Sequence, residues 1–336
     1  MRELTYTEAA REGLAEELAR DPMVFVLGEG IGARGGNFNT TTGLFERFGP
    51  QRLRDTPIAE RGFTGLATGA AMVGGRPVVD YMFLDFALDA LGEILNQANK
   101  IQYMSDGRLK MPIVLRGCVG VGNSAATHHS GHYFPMFVNT PGLRVVAPTT
   151  PADVKGLLKT SIRSDDPVIF MEHRGLLSLK GPVPDGEHLV PFGQAVVARP
   201  GRDVTVVGVA ITVRRALEVA ETLAREGISV EVIDPRTLAP LDIDTILASV
   251  ARTGRLLIAD EAYGPCGIGA EIAAQVVERG LDDLDAPIRR LNGLHTPIPY
   301  SPPLEKAVVP DAAASARTAW AMAAASGTTA FSRGGL

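Results

Sequence analysis

Three of the six histidines in this 336-residue chain fall within five positions, His128-His129-Ser130-Gly131-His132. Zinc is the first chemistry such a cluster raises, but zinc sites take three or four protein ligands, and no nearby Cys or Glu completes a set. The plain reading is a polar loop after a strand. A histidine there is also suited to donate or accept a proton, because ligands in open α/β sheets bind outside the carboxyl ends of the strands. Upstream, the segment Gly117-Cys118-Val119-Gly120-Val121-Gly122 lets backbone approach a ligand closely. Its spacing is not GxGxxG, however, and the chain has no GxxxxGK[ST] phosphate loop. A third candidate is Glu60, in Pro57-Ile58-Ala59-Glu60-Arg61-Gly62-Phe63 ahead of a helix of small residues. By position alone it is an acid favoured by a helix dipole. Phe83 and Phe86, flanking Asp85, read as core aromatics.

Such groups need rigid supports, and the sequence supplies two sets. Short runs rich in Val, Ile and Leu alternate with Ala-rich segments of helical period, the pattern of parallel sheets covered by helices. In the first half, strands are expected at Met23–Leu27, Pro77–Tyr81, Pro112–Arg116, Arg144–Ala147 and Pro167–Met171. Helices are expected at Tyr6–Arg20, Gly62–Val73, Leu84–Tyr103 and Pro151–Ser164, the last with Thr150 as its cap and Pro151 in its first turn. Further βα units resume at Val204. The expected fold class is α/β with two parallel-sheet domains: residues 1–182, a Pro- and Gly-rich linker at 183–202, a second domain at 203–325 and a flexible tail at 326–336.

Composition excludes several functions. The 33 basic and 38 acidic residues give a net charge of −5, and the six lysines are scattered, so no nucleic-acid footprint is present. Two distant cysteines, Cys118 and Cys266, support neither a disulfide framework nor a Cys-based zinc site. No apolar leader and no long apolar run occur, and a soluble cytoplasmic protein is expected.

Taken in order, several stretches resemble the β subunit of the E1 component of the 2-oxo acid dehydrogenase complexes, the pyruvate, branched-chain and acetoin members of the thiamine-diphosphate (ThDP) enzymes. They are DTPIAERGFTGLATGAAMVGGRPVVDYMFLDFALDAL, IVLRG with the Gly-rich segment and AATHHS, TPGLRVVAPTTPADVKGLLKTSIRSDDPVIFMEH, VIDPRTLAPLD and DEAYGPCGIGAEI. The resemblance covers about residues 3–325. It implies a ThDP pyrimidine-binding domain followed by a transketolase C-terminal-like domain. It sets Glu60 against N1′ of the aminopyrimidine and Phe86 on that ring, adds Met82 and Glu29 to the cofactor-facing residues, and places His129 beside the reacting centre. Glu60 would share a proton with N1′, favouring the imino tautomer that removes the C2 proton of the thiazolium. His129 would position the 2-oxo acid and assist acyl transfer to a lipoyl arm. Family members commonly read QHSQSLEAWF where this chain has HHSGHYFPMF, so the loop departs where substrate enters.

The resemblance also implies a K⁺ site, of the kind that orders the His-bearing loop, on the backbones of Ile113, Ser161, Ile162 and Ser164 with a side-chain oxygen from Asp166. The motif by which the family anchors Mg²⁺ and the diphosphate is missing: neither Ser105-Asp106-Gly107 nor Pro184-Asp185-Gly186 has a suitable Asn downstream. Mg²⁺ is therefore expected to be held mainly by a separate E1 α subunit in an α2β2 heterotetramer, which passes its acyl group to a lipoyl-bearing E2 acyltransferase. Two other enzymes fit the same residues: a split transketolase-like or synthase-type ThDP enzyme that transfers a two-carbon unit to an aldehyde, and an acetoin-cleaving dehydrogenase subunit. A catalytically silent scaffold is disfavoured by the joint retention of Glu60, Phe86 and His129.

Overall fold

The computed structural model describes residues 1–324; the 326–336 tail lies outside the described residues. The chain divides into two units. The first comprises Met1–Gln194 with the later segments Arg236–Leu241 and Thr296–Glu305, and the second the remainder.

Strands in chain order are β1 (Arg2–Thr5), β2 (Val24–Gly28), β3 (Leu53–Asp55), β4 (Arg76–Phe83), β5 (Val114–Val119), β6 (Arg144–Val146), β7 (Val168–His173), β8 (Lys180–Val183), β9 (Val196–Arg199), β10 (Val204–Gly208), β11 (Val230–Asp234), β12 (Thr237–Ala239), β13 (Leu256–Tyr263) and β14 (Arg289–Gly293). The first unit is built on a seven-stranded sheet of order β12-β6-β7-β5-β4-β2-β3, parallel except for β12. All six residues of β5 are buried, as a central parallel strand covered on both faces requires. The helices Tyr6–Arg20 and Pro151–Arg163 pack together closely: a Cβ at Gly13 would lie 3.1 Å from the Lys155 carbonyl. Ion pairs Lys155–Glu12 (2.6 Å), Lys159–Glu16 (2.5 Å) and Arg163–Glu17 (2.6 Å) line the same contact. Thr5 and Glu8 form a capping box on the first helix, and Thr150 caps the second through the Asp153 N–H.

The second unit has a five-stranded sheet of order β14-β13-β10-β11-β9 with β9 antiparallel. Its helices are Ile211–Ala224, Ile243–Thr253, Ile268–Gly280 and Ala312–Ala324. Val204, Val206, Val213, Ala216, Ala220, Val232, Leu257 and Ala319 form a shared core there. Among the described residues no helix is long and apolar enough to cross a membrane.

Within the Pro- and Gly-rich stretch 183–202, Val196–Arg199 pairs with β11, and the second unit begins at Ala195. One expectation needs correction. The single helix expected over Leu84–Tyr103 is instead a 3₁₀ segment (Leu84–Ala90), one short α turn, a π turn (Ile94–Ala98) and the α turn Ile101–Met104. The buried residues explain it: Leu84, Ala87 and Ala90 recur every third position, the 3₁₀ period, before the spacing widens to Ile94 and Ala98.

Candidate active site

Four neighbouring parallel strands, β5-β4-β2-β3, deliver the candidate residues from their carboxyl ends. Glu29 follows β2, Glu60 opens the helix Glu60–Met72 after β3, Met82 is the penultimate residue of β4 with Phe86 on the turn beyond it, and His129 lies on the loop after β5. In an open parallel sheet this edge is where ligands bind. The N–H of Thr56 donates to the Gly28 carbonyl at 3.0 Å, tying the approach to Glu60 onto the end of β2.

Glu60 is buried, 9% exposed, in the first turn of its helix. Glu29 is half-buried, and its carboxyl is held above the usual range first by burial and then by the charge of Glu60. The helix behind Glu60 turns Phe63, Thr64, Ala67, Thr68 and Ala71 inward, and Thr64 hydrogen-bonds the Tyr81 hydroxyl at 2.6 Å. Its opposite face is exposed and carries Gly62 and Gly69 together with the apolar side chain of Leu66.

Met82 sits in the left-handed region at φ 64°. Its N–H donates to Asp80 Oδ1 at 2.9 Å, and the Thr40 hydroxyl donates to Asp80 Oδ2 at 3.2 Å. Asp80 in turn lies 4.0 Å from the guanidinium of Arg116, which is 0% exposed and donates to Glu172 Oε2 through Nε (2.9 Å) and Nη2 (2.6 Å). Burial raises the Glu172 carboxyl while Arg116 pulls it back. This buried network on β4, β5 and β7 shapes the turn that carries Met82 and Phe86, and sequence reading missed it. A signal was available: each of these strands sets a charged residue among apolar neighbours, as VVDY, VLRG and FMEH.

Phe83 is more than a core aromatic. Its ring meets Phe38, Phe86 and His129 edge-on at centroid distances of 5.3, 6.0 and 4.7 Å, and Phe86 meets His129 at 5.4 Å. The structure thus brings Phe86 and His129 together. His128 is exposed and His132 is buried. The loop to His129 is wound through left-handed residues, Asn123 (φ 57°), Ser124 (φ 53°) and Ala126 (φ 60°), the backbone strain that collects at functional sites.

The cation positions lie elsewhere. Ile113 precedes β5 and Asp166 precedes β7, so they sit at the amino ends of strands whose carboxyl ends carry the site, about 20 Å away along the six residues of β5. The oxygens are also engaged: the Ile162 and Ser164 carbonyls accept from Arg76 (2.9 and 3.1 Å), those of Ile113 and Ser161 accept from Val168 and Ser164 N–H groups, and Asp166 Oδ2 pairs with Arg144. Positive charge at this helix end comes from two guanidinium groups. Asp106 lies in a left-handed turn and exposed Asp185 pairs with Arg2, so neither resembles an assembled diphosphate anchor.

A buried carboxylate beside a second carboxyl, with Met82 and Phe86 on the adjoining strand end, suits a flat heteroaromatic ring that carries a basic nitrogen. The comparisons agree with that chemistry. The transketolase pyrimidine binding domain family matches residues 2–180 and the transketolase C-terminal domain family residues 193–314. The chain is 46% identical over 322 residues to an acetoin:2,6-dichlorophenolindophenol oxidoreductase subunit beta of Cupriavidus necator, covering 93% of this chain and 95% of that one. It is 46% identical to a pyruvate dehydrogenase E1 component subunit beta of Rickettsia felis (92% and 94% covered) and 44% identical to a 2-oxoisovalerate dehydrogenase subunit beta of Bacillus subtilis (90% and 93%). A solved split-gene transketolase, an inactive β4 tetramer, shares the fold with TM-score 0.78 at 22% identity over 96% of this chain and 98% of that one. The family of the pyrimidine domain is ThDP-dependent, and the chain belongs to the β subunits of the E1 component of the 2-oxo acid dehydrogenases, an enzyme family.

Proposed function

We propose that this chain joins an E1 α subunit in an α2β2 heterotetramer that oxidatively decarboxylates a 2-oxo acid, pyruvate or a branched-chain one, and passes the acyl group to the lipoyl arm of E2. The observation that carries the reading is the convergence of Glu29, Glu60, Met82, Phe86 and His129 on the carboxyl ends of four adjacent strands. ThDP, when bound, supplies a carbon nucleophile and an electron sink for loss of CO2, with Mg²⁺ held mainly by the α subunit. Glu60 holds and returns a proton at the pyrimidine N1′; its burial keeps that exchange away from water. The Glu29 carboxyl, raised first by burial and then by the charge of Glu60, stands near enough to feel that charge. Phe86 and Met82 orient the ring, and the aromatic clasp of Phe83 and Phe86 fixes the imidazole of His129, which orients the substrate and moves a proton during acyl transfer. The exposed face of the Glu60–Met72 helix, where Gly62 and Gly69 flank the apolar Leu66, supports packing against a partner subunit.

Because relatives named for acetoin, pyruvate and 2-oxoisovalerate match almost equally well, acetoin cleavage is the second reading. The test is to co-purify the full chain with the α subunit and assay pyruvate, branched-chain 2-oxo acids and acetoin with ThDP and Mg²⁺. Turnover that Glu60→Gln abolishes is expected. Turnover surviving that substitution refutes the role of Glu60, and tight ThDP-Mg²⁺ binding by the β chain alone refutes the shared site.

A further inference from the structure

Asp85 stands between Leu84 and Phe86 on the turn after β4 and is 8% exposed. Its Oδ1 accepts the backbone N–H of Gly131 at 2.9 Å, across 46 positions of sequence. Gly131 lies two residues beyond His129, in the part of the loop that departs from the family pattern. The approach requires glycine: a Cβ there would lie 2.2 Å from Cε2 of Tyr133 and 2.5 Å from Asp85 Oδ1. The other oxygen, Oδ2, is buried with no hydrogen-bond partner among the described residues. Burial raises the carboxyl, while the Gly131 N–H and the nearby His132 and His129 draw it back, so the group lies electrically close to both imidazoles. The loop is therefore fastened to the turn at two points, a hydrogen bond at Gly131 and the edge-on contacts of His129 with Phe83 and Phe86.

We propose that Asp85 is a positioning residue that joins the His129 loop to the Phe86 turn, so that the imidazole and the aromatic wall are set by one shared fastening. The proposal rests on the functional reading above for its effect on turnover, but not for the fastening itself. An acceptor at this place fixes where the loop turns back after His129. Without it the Gly131 N–H must find water, and the loop must open to admit it. Asn retains the acceptor and Leu removes it, which separates the hydrogen bond from the space the side chain fills.

The test uses the full chain co-purified with its α subunit and two readouts. Hydrogen exchange in peptides spanning 129–133 is expected to match wild type in Asp85→Asn and to speed up roughly tenfold or more in Asp85→Leu, as a lost protecting bond requires. Turnover of the best 2-oxo acid is expected to fall about 10–100-fold in kcat for Asp85→Leu with KM little changed, and to stay within about threefold of wild type in Asp85→Asn. Gly131→Ala strikes the same contact from the loop side and reproduces the Leu phenotype, which keeps the test intact should Asp85→Leu not fold. Protection retained in both Asp85→Leu and Gly131→Ala, loss of protection in Asp85→Asn, or a released loop with undiminished turnover would each overturn the proposal. Exchange in the expected order with no wild-type turnover of any 2-oxo acid or acetoin refutes the functional reading and leaves the fastening standing.

Discussion

Replacing Arg116 by Met tests whether the buried network on β4, β5 and β7 is held by charge rather than by shape. The guanidinium is fully enclosed and contacts Glu172 Oε2 twice, at 2.9 and 2.6 Å, with Asp80 4.0 Å away. Its removal leaves two acids buried without a countercharge, which costs about 3–5 kcal/mol. For a chain of this size that lowers the melting temperature by roughly 4–7 °C, read by far-UV circular dichroism of the purified full chain. The sign of the pH dependence follows from Glu172, whose carboxyl burial already raises and Arg116 restrains. Losing Arg116 lifts it further above its unfolded value, so stability is greatest below the unfolded value and declines as pH rises toward the folded one. The deficit of Arg116→Met is therefore larger at about pH 8 than at about pH 5. Adding Glu172→Leu removes the main stranded charge and recovers most of the loss. A deficit equal at both pH values, or a double variant no more stable than the single one, refutes the reasoning.

Other outcomes follow from contacts already described. Burial pushes the Cys118 thiol up to about 12, whereas Cys266 is exposed, so a thiol reagent at about pH 8 labels Cys266 first and Cys118 only on unfolding; prompt labelling of both refutes the packing of β5. In Gly117→Ala the new Cβ would lie 2.8 Å from the backbone nitrogen of Leu84, so the turn carrying Asp85 and Phe86 must move. A loss of about 1–3 kcal/mol in urea unfolding is expected, together with reduced turnover, and an unchanged melting curve contradicts it. Because Arg76 and Arg144 already serve the oxygens proposed for K⁺, exchanging KCl for choline chloride leaves the melting temperature unchanged. A rise of several degrees specific to K⁺ would restore the cation site.

Legibility in the sequence followed the physics of each element. The helix Tyr6–Arg20 was readable to the residue, and the strand Val204–Gly208 at its first residue, because a capping threonine starts one and a β-branched run defines the other. The Leu84–Tyr103 segment was misread because 3₁₀, α and π turns all place apolar residues three to five apart, and only tertiary packing selects among them. Glu60, Phe86 and His129 were visible as residue types, but their convergence depends on strand order, which no local pattern encodes. Asp80, Arg116 and Glu172 went unnoticed because a charge within an apolar strand reads as an interruption until its partners on neighbouring strands are known. The K⁺ positions came from the resemblance alone, and the donors that meet their oxygens, Arg76 from β4 and Arg144 from β6, belong to tertiary structure that no local pattern encodes.

The short strand Thr237–Ala239 pairs with β6 and closes one edge of the seven-stranded sheet, so the first unit is completed by residues made after β11 of the second. During synthesis the ribosome thus releases a sheet whose β6 edge stays open until residue 239 emerges, and such an edge invites pairing with another nascent chain. A fragment ending at Gln194 keeps that edge open permanently and is expected to associate. Swapping the C-terminal half with that of a relative at the Pro-rich stretch likewise exchanges the strand that seals the site-bearing sheet, so chimaeras need this strand to match its new neighbour.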